Sequence, residues 1–312
     1  MIRAVLFDWG GTLTSFHSVD MLDAWVVAAE VLAPDRVDEV AAALLEAERE
    51  IWSRTETTMR SATTADVLSA ASRAVGLPVE EALHVIGVTS YLDQWAPSTH
   101  CRPDARRTLH ELRARGLRTG LLSNTHWPRE QHERWLERDG LLDLLDARVY
   151  TSDIERVKPH PDAFATVLDV VSIAPMEAVF VGDRRWDDIE GARRIGMRTI
   201  WVRNDNVPAY DVEPDAVVEE LGDVVGVGDR GLVDGSPDGA PGSAGSSTEF
   251  ARSRHRAAAM PTSPSAVTAT RRVWVAGRLA ATRSHIAPAA ASSSQMASVR
   301  ALSGLPTENG SA

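Results

Sequence analysis

The chain has 312 residues and a formal net charge of -11, and its acid excess falls in the first 222 residues. An acidic domain without a basic stripe argues against nucleic acid as the main partner, because binding a phosphate backbone takes clustered positive charge. The one cysteine, Cys101, excludes an intrachain disulfide framework and a cysteine-rich zinc site.

The opening Met1-Ile2-Arg3-Ala4-Val5-Leu6-Phe7 has too short an apolar run for a secretory or membrane segment, so a cytoplasmic protein with no membrane partner is expected. Arg3 to Phe7 reads as a buried strand that ends at Asp8-Trp9-Gly10-Gly11-Thr12, a turn its glycines permit. Helical periodicity follows for nearly eighty residues. Leu22, Trp25, Val26 and Ala29 share one face, Val40, Leu44, Leu45 and Ala47 another, and Ala65 to Val75 and Val79 to Trp95 supply two more helices. Trp25, Trp52, Tyr91 and Trp95 fall on apolar faces and are expected to anchor this bundle.

From Pro103 strands and helices alternate. Pro103 opens a helix through Leu109 and Leu112 that Gly116 stops, and Leu117 to Leu122 is a strand ending at Ser123-Asn124. A helix over Pro128 to Arg138 precedes the short strand Ala147 to Tyr150. Pro161 opens a helix through Leu168, Ala178 to Val181 is a strand ending at Gly182-Asp183, Asp188 to Ile195 is a helix, and Arg198 to Val202 is a strand. Strands separated by helices imply right-handed crossovers and a mainly parallel, Rossmann-like α/β sheet carrying an inserted all-helical domain. The expected boundaries are 1–15 and 100–225 for the core and 16–99 for the helical insert. The Gly/Ser/Pro/Ala-rich stretch 226–312 is expected to be a mostly disordered tail.

In such a sheet the carboxyl ends of the strands line the ligand crevice. Asp8, Ser123, Lys158 and Asp183 arrive there, with Asp187 and Asp188 close behind. Lys158 is the only lysine of an otherwise arginine-based chain, and a compact ammonium binds a phosphate oxygen or carboxylate in a narrow site where a planar guanidinium does not fit. Several carboxylates near one point call for a cation, and oxygen ligands alone favour magnesium. Metal and lysine together would screen a phosphate dianion from an anionic nucleophile.

These residues resemble the haloacid-dehalogenase-like (HAD-like) hydrolase superfamily with a helical cap after the first strand. Asp8-Trp9-Gly10-Gly11-Thr12-Leu13 is similar to its first motif, Leu121-Leu122-Ser123-Asn124 to its second, Lys158-Pro159 to its third and Gly182-Asp183-Arg184-Arg185-Trp186-Asp187-Asp188 to its fourth. The resemblance covers about residues 1–205. It implies that Asp8 is a nucleophile forming an aspartyl-phosphate, with Ser123 and Lys158 on the phosphoryl group. It also implies Mg2+ held by Asp8, the Gly10 carbonyl, Asp183 and Asp188, with Asp187 as a substitute for the last. Thr12, Asn124 and Arg54 are expected to contact substrate, and Arg60 and His17 are further candidates for facing it. The expected substrate is a small phosphorylated metabolite.

The chain departs from the family's phosphatases at Gly10, where a second aspartate usually serves as acid and base, help worth about 100-fold to 10,000-fold. His17, Asp20 or His126 could replace it. Three alternatives stand beside the phosphatase. A phosphonoacetaldehyde hydrolase would need a cap lysine, and residues 16–99 contain none. A 2-haloacid dehalogenase would use Asp8 without metal, with Arg54 or Arg60 on the substrate carboxylate. A weak or inactive phosphate-binding module would tolerate Gly10.

Overall fold

The structure, a computed structural model, describes residues 1–228 apart from Ser18 and Val79. Six strands, β1 (Ala4–Phe7), β2 (Arg118–Ser123), β3 (Ala147–Tyr150), β4 (Ala178–Gly182), β5 (Arg198–Val202) and β6 (Ala216–Val218), form one sheet in the order β3-β2-β1-β4-β5-β6. Every neighbouring pair is parallel. The chain leaves β1 towards β2 and β3 on one side and later returns to β4 on the other. The switch point of the sheet therefore lies between β1 and β4.

The inner strands are apolar on both faces, as a sheet covered on both sides requires. Val5 and Phe7 join the cluster of Leu109, Leu112 and Leu136, while Ala4 and Leu6 join that of Phe164, Val167 and Leu168. The first cluster is contributed by helices α5 (Ala105–Ala114) and α6 (Arg129–Arg138), the second by α7 (Pro161–Val171). Between β1 and α5 the described residues form an insert of four helices, α1 (Met21–Leu32), α2 (Val37–Thr58), α3 (Thr64–Val75) and α4 (Glu81–Trp95). The two connections that lead into and out of this insert are paired, through an antiparallel bridge between Thr14 and Cys101 and a bond from Arg102 N–H to the Leu13 carbonyl at 2.8 Å.

Trp25 and Tyr91 are fully buried within the insert and stack with centroids 3.8 Å apart. Both donate to the buried Glu48, from the Trp25 indole at 2.6 Å and the Tyr91 hydroxyl at 3.2 Å. Burial pushes the Glu48 carboxyl up, against those donors. Leu22, expected on the buried face of α1, is 42% exposed, because Trp25, Ala28 and Ala29 already fill that face. Trp52 packs outward from the bundle, onto the core residue His126.

The helix expected over 188–195 is instead a wide turn, Arg185–Glu190, leading into the short α8 (Gly191–Arg194). β6 and the last described helix, α9 (Asp223–Gly228), were not expected. Val227 of α9 is buried, so the ordered chain passes the boundary drawn at 225. The rest of the expected tail lies outside the described residues. No helix among the described residues is long and apolar enough to cross a membrane.

Candidate functional site

Asp8 follows β1 with its amide donating to the Val181 carbonyl of β4 at 2.9 Å, which places it at the switch point. Asp183 follows β4 directly. The carboxylates of Asp8, Asp183 and Asp188, all buried, offer oxygens within 4.8 Å of one another. Lys158 Nζ lies between two of them, donating to Asp8 Oδ1 at 2.6 Å and Asp188 Oδ1 at 2.7 Å. Burial works against the ammonium, but Asp188 and Asp8 outweigh it and hold its pKa above the ordinary lysine value. The sequence therefore needs lysine here: a guanidinium fork would not fit a gap that two carboxylates close to hydrogen-bond distance.

The carboxylates differ in what remains free on them. Asp188 is engaged on both oxygens, by Lys158 on Oδ1 and by Arg184 N–H on Oδ2 at 2.9 Å. Asp183 accepts from Asn204 Nδ2 at 2.6 Å through Oδ2, while its buried Oδ1 has no hydrogen-bond partner. Burial, with the like charge of Asp8 next, pushes Asp183 up to about 6, and burial likewise raises Asp188, opposed by Lys158. Three carboxylates around one ammonium leave excess negative charge, and Asp183 Oδ1 is buried there without a hydrogen-bond partner. An oxygen-only donor set of this kind suits a hard divalent cation.

Ser123 is buried at the end of β2, and Thr12, four residues after Asp8, has a buried hydroxyl that lacks a partner. Asn124 departs from its expected substrate contact. Its side chain donates to the Lys158 carbonyl and accepts from the Lys158 amide, each at 2.9 Å, so it fixes the lysine loop. Arg54 is not brought to the acids either: it lines a shallow cleft of about 520 Å³ whose other walls are Glu46, Arg49, Glu50, Ser53, Thr57 and Thr58 of the same helix. A helical step of about 100° per residue sets it roughly 200° around α2 from the core-facing Trp52. Arg60 is tied to Glu155 at 3.0 Å.

The three expected acid-base substitutes are placed elsewhere. Asp20 accepts from the amides of Leu22 and Asp23 as the N-cap of α1. His126 lies against Trp52 with ring centroids 3.8 Å apart and touches Thr55 Oγ1 at 3.5 Å, and burial lowers its pKa to about 4. His17 is exposed, without a bond to the acid cluster. Asn204 and Arg184 escaped the sequence reading. Asn204 lies past the last expected strand with no spacing signal, and Arg184, half exposed and 3.9 Å from Asp187, was hidden among the motif's charges.

The two glycines after Asp8 are not equivalent. Gly11 has φ +87°, and a Cβ there would collide with the Asp183 carboxylate; at Gly10 (φ -79°, ψ 114°) a Cβ would meet nothing within 4 Å. Gly11→Ala is expected to destabilise the protein by about 1–3 kcal/mol through backbone strain and displacement of Asp183. Gly10→Ala should stay within about 0.5 kcal/mol of the parent in the same thermal unfolding measurement. Equal losses would contradict this assignment of the close approach.

An acid cluster at the carboxyl ends of a parallel sheet, with a helical insert after the first strand, is the architecture of a hydrolase family. Residues 2–196 match the haloacid dehalogenase-like hydrolases, and the chain belongs to that family. Glyceraldehyde 3-phosphate phosphatase of Pyrococcus furiosus is 37% identical over 133 residues, covering 41% of this chain and 54% of the relative. The chain thus spans about half the length of that relative. (S)-2-haloacid dehalogenase 4A of Burkholderia cepacia is 29% identical over 220 residues, 68% of this chain and 88% of the relative. Among solved structures, a 2-haloacid dehalogenase from Pseudomonas syringae pv. Tomato DC3000 has a TM-score of 0.54 at 25% identity, covering 74% of this chain and 99% of its own. A HAD phosphatase from Thermococcus onnurineus has a TM-score of 0.51 at 24% identity, covering 72% and 97%.

Proposed function

We propose that the chain is a Mg2+-dependent phosphohydrolase of small phosphate esters or anhydrides that works through an aspartyl-phosphate on Asp8. The observation that carries this is the buried acid triad held by one lysine, with Asp183 Oδ1 unbonded. A metal-free displacement at carbon would have no use for that surplus of carboxylates. Asp8, Asp183 and the Gly10 carbonyl would hold the ion, and Asp188 would act chiefly by holding Lys158. When bound, Mg2+ supplies charge that draws the phosphate dianion onto an anionic nucleophile.

Asp8 attacks phosphorus, forming a carboxylate O–P bond as the ester P–O bond breaks with its electron pair on the leaving oxygen. Lys158 fixes the Asp8 carboxylate and lowers the charge that the phosphoryl oxygens meet. Ser123 Oγ and the backbone amides around Gly11 and Asn124 donate to those oxygens. Water then attacks the acyl-phosphate and restores Asp8. The helical insert acts as a cap over the crevice, flexing at the paired connections near Thr14 and Cys101 and excluding water during transfer. The phosphatase relatives support the substrate class, and a cytoplasmic site of action fits a small phosphorylated metabolite.

The test is turnover of p-nitrophenyl phosphate or acetyl phosphate, expected at low rate with millimolar Mg2+ and lost on adding EDTA. Crystals soaked in magnesium should show an octahedral ion within about 2.1 Å of Asp8 and the Gly10 carbonyl. Turnover untouched by EDTA would sink the metal assignment, and phosphate binding without turnover would leave only a binding module. The dehalogenase relative of Burkholderia, matched over most of its length, sustains one competing reading. Halide release from a 2-haloacid without metal would establish it instead.

A further inference from the structure

Gly10 leaves the core without an acid-base carboxylate, and the space beside it is open. An alkoxide or phenoxide leaving phosphorus needs a proton in the transition state, and a positioned acid typically contributes about 10²- to 10⁴-fold. The helical insert brings a carboxylate to the facing side. In the last turns of α2 and its C-cap, Trp52, Glu56 and Met59 follow at i, i+4 and i+7 and so share one face. Both ends of that stripe are fastened beside the site. The Trp52 ring stacks on His126, three residues past Ser123, with planes 20° apart. The Met59 carbonyl accepts from Val157 N–H at 3.2 Å, one residue before Lys158.

The C-cap of α2 reinforces the placement. Met59 is left-handed, with φ 53°, and turns the chain so that Arg60 bridges Arg156 and Ser61 N–H donates to the Glu155 carbonyl at 2.9 Å. Helical spacing sets Glu56 between these two anchors, on the face of α2 that carries both, and it is exposed there. Its negative charge is also felt across the crevice by Asp187, where burial is the largest influence and Arg184 opposes it.

We propose that Glu56 is the general acid and base of the reaction, a catalytic residue supplied by the insert where the core has Gly10. The inference rests on the phosphohydrolase reading above. As Asp8 bonds to phosphorus, the ester P–O bond breaks and the protonated Glu56 gives its proton to the leaving oxygen. Glu56, now a carboxylate, then takes a proton from the water that attacks the acyl-phosphate. The P–O bond to Asp8 breaks, its electron pair returns to the carboxylate, and Glu56 is protonated again.

The experiment compares p-nitrophenyl phosphate with phenyl phosphate in the full chain with Mg2+, before and after Glu56→Gln. The two esters have similar shape, but phenoxide is the far poorer leaving group. Expected is a fall of about 100-fold in kcat/KM on phenyl phosphate and of less than about threefold on p-nitrophenyl phosphate. On the latter kcat should drop, with a burst of about one equivalent of p-nitrophenolate per protein, because the acyl-phosphate has lost the base that activates water. Adding Gly10→Asp to Glu56→Gln should restore phenyl phosphate turnover, since the open space at Gly10 admits a carboxylate. A role in folding or docking alone would lower kcat/KM on both esters alike, and that result overturns the proposal. A parent protein that hydrolyses neither ester overturns the phosphohydrolase reading and this inference with it; an active parent whose ratio between esters is unmoved by Glu56→Gln overturns the inference alone.

Discussion

Asp8→Asn is expected to lower turnover of p-nitrophenyl phosphate by about 10⁴- to 10⁶-fold while the protein stays folded, the scale set by removal of a covalent nucleophile. The fold should survive because the backbone holds this residue independently of its side chain, through the bond from its amide to the Val181 carbonyl. A carboxamide can still accept from Lys158 Nζ at the 2.6 Å position of Asp8 Oδ1. It has no anionic oxygen with which to attack phosphorus. One less carboxylate also removes a like charge that helps push Asp183 up to about 6, after burial itself. The metal-free variant should therefore melt no lower than the parent near neutral pH. Steady-state kinetics and thermal unfolding check the two halves separately, and turnover within tenfold of the parent would defeat every mechanism that begins with Asp8.

The elements that position Asp8 were legible in the sequence for a physical reason. A parallel strand buried on both faces must be a short apolar run; Ala4–Phe7 and Ala178–Gly182 are followed at once by Asp8 and Asp183, and Arg118–Ser123 ends in Ser123, so the sheet delivers all three to its carboxyl edge. Asp8, Ser123 and Asp183 could be placed at that edge because strand ends fix a residue's place without tertiary detail, whereas Lys158 and Asp188, which follow no strand directly, rested on the motif resemblance. Side chains whose roles depend on what lies opposite were not legible. Asn124 could equally face a ligand, and only the return of the Lys158 loop shows its amide clamping that backbone. Arg54 could equally reach over the site, and only the cleft that it lines with Glu46, Glu50 and Thr57 shows where it sits on α2. The three-residue β6 offers too few positions for alternation to register, and the turn at Arg185–Glu190 is set by Asp188 reaching back to the Arg184 amide.

Lys158→Met is expected to destabilise the metal-free protein by about 3–5 kcal/mol, because it leaves two buried carboxylates without their shared cation. For a domain of this size that corresponds to a fall in Tm on the order of 10 °C. The loss should depend on pH with a definite sign. Lys158 attracts and so lowers the pKa of both Asp183 and Asp188, and without it burial raises them further. A carboxyl whose folded pKa lies above its unfolded value binds its proton more tightly in the folded state. Its stabilisation is present at low pH and is lost as pH rises from the ordinary carboxylate range through the folded value, about 6 for Asp183 in the parent. The gap between parent and variant should therefore be small near pH 4.5 and widen towards pH 8. Millimolar Mg2+ should narrow it at the upper end, since the ion binds the same carboxylates in place of the lost ammonium. Lys158→Arg should not rescue the variant, as the guanidinium plane exceeds the space between Asp8 and Asp188. Thermal melts across this pH range, with and without Mg2+, decide the matter: a gap that stays constant with pH would mean that Lys158 contributes packing and not charge balance.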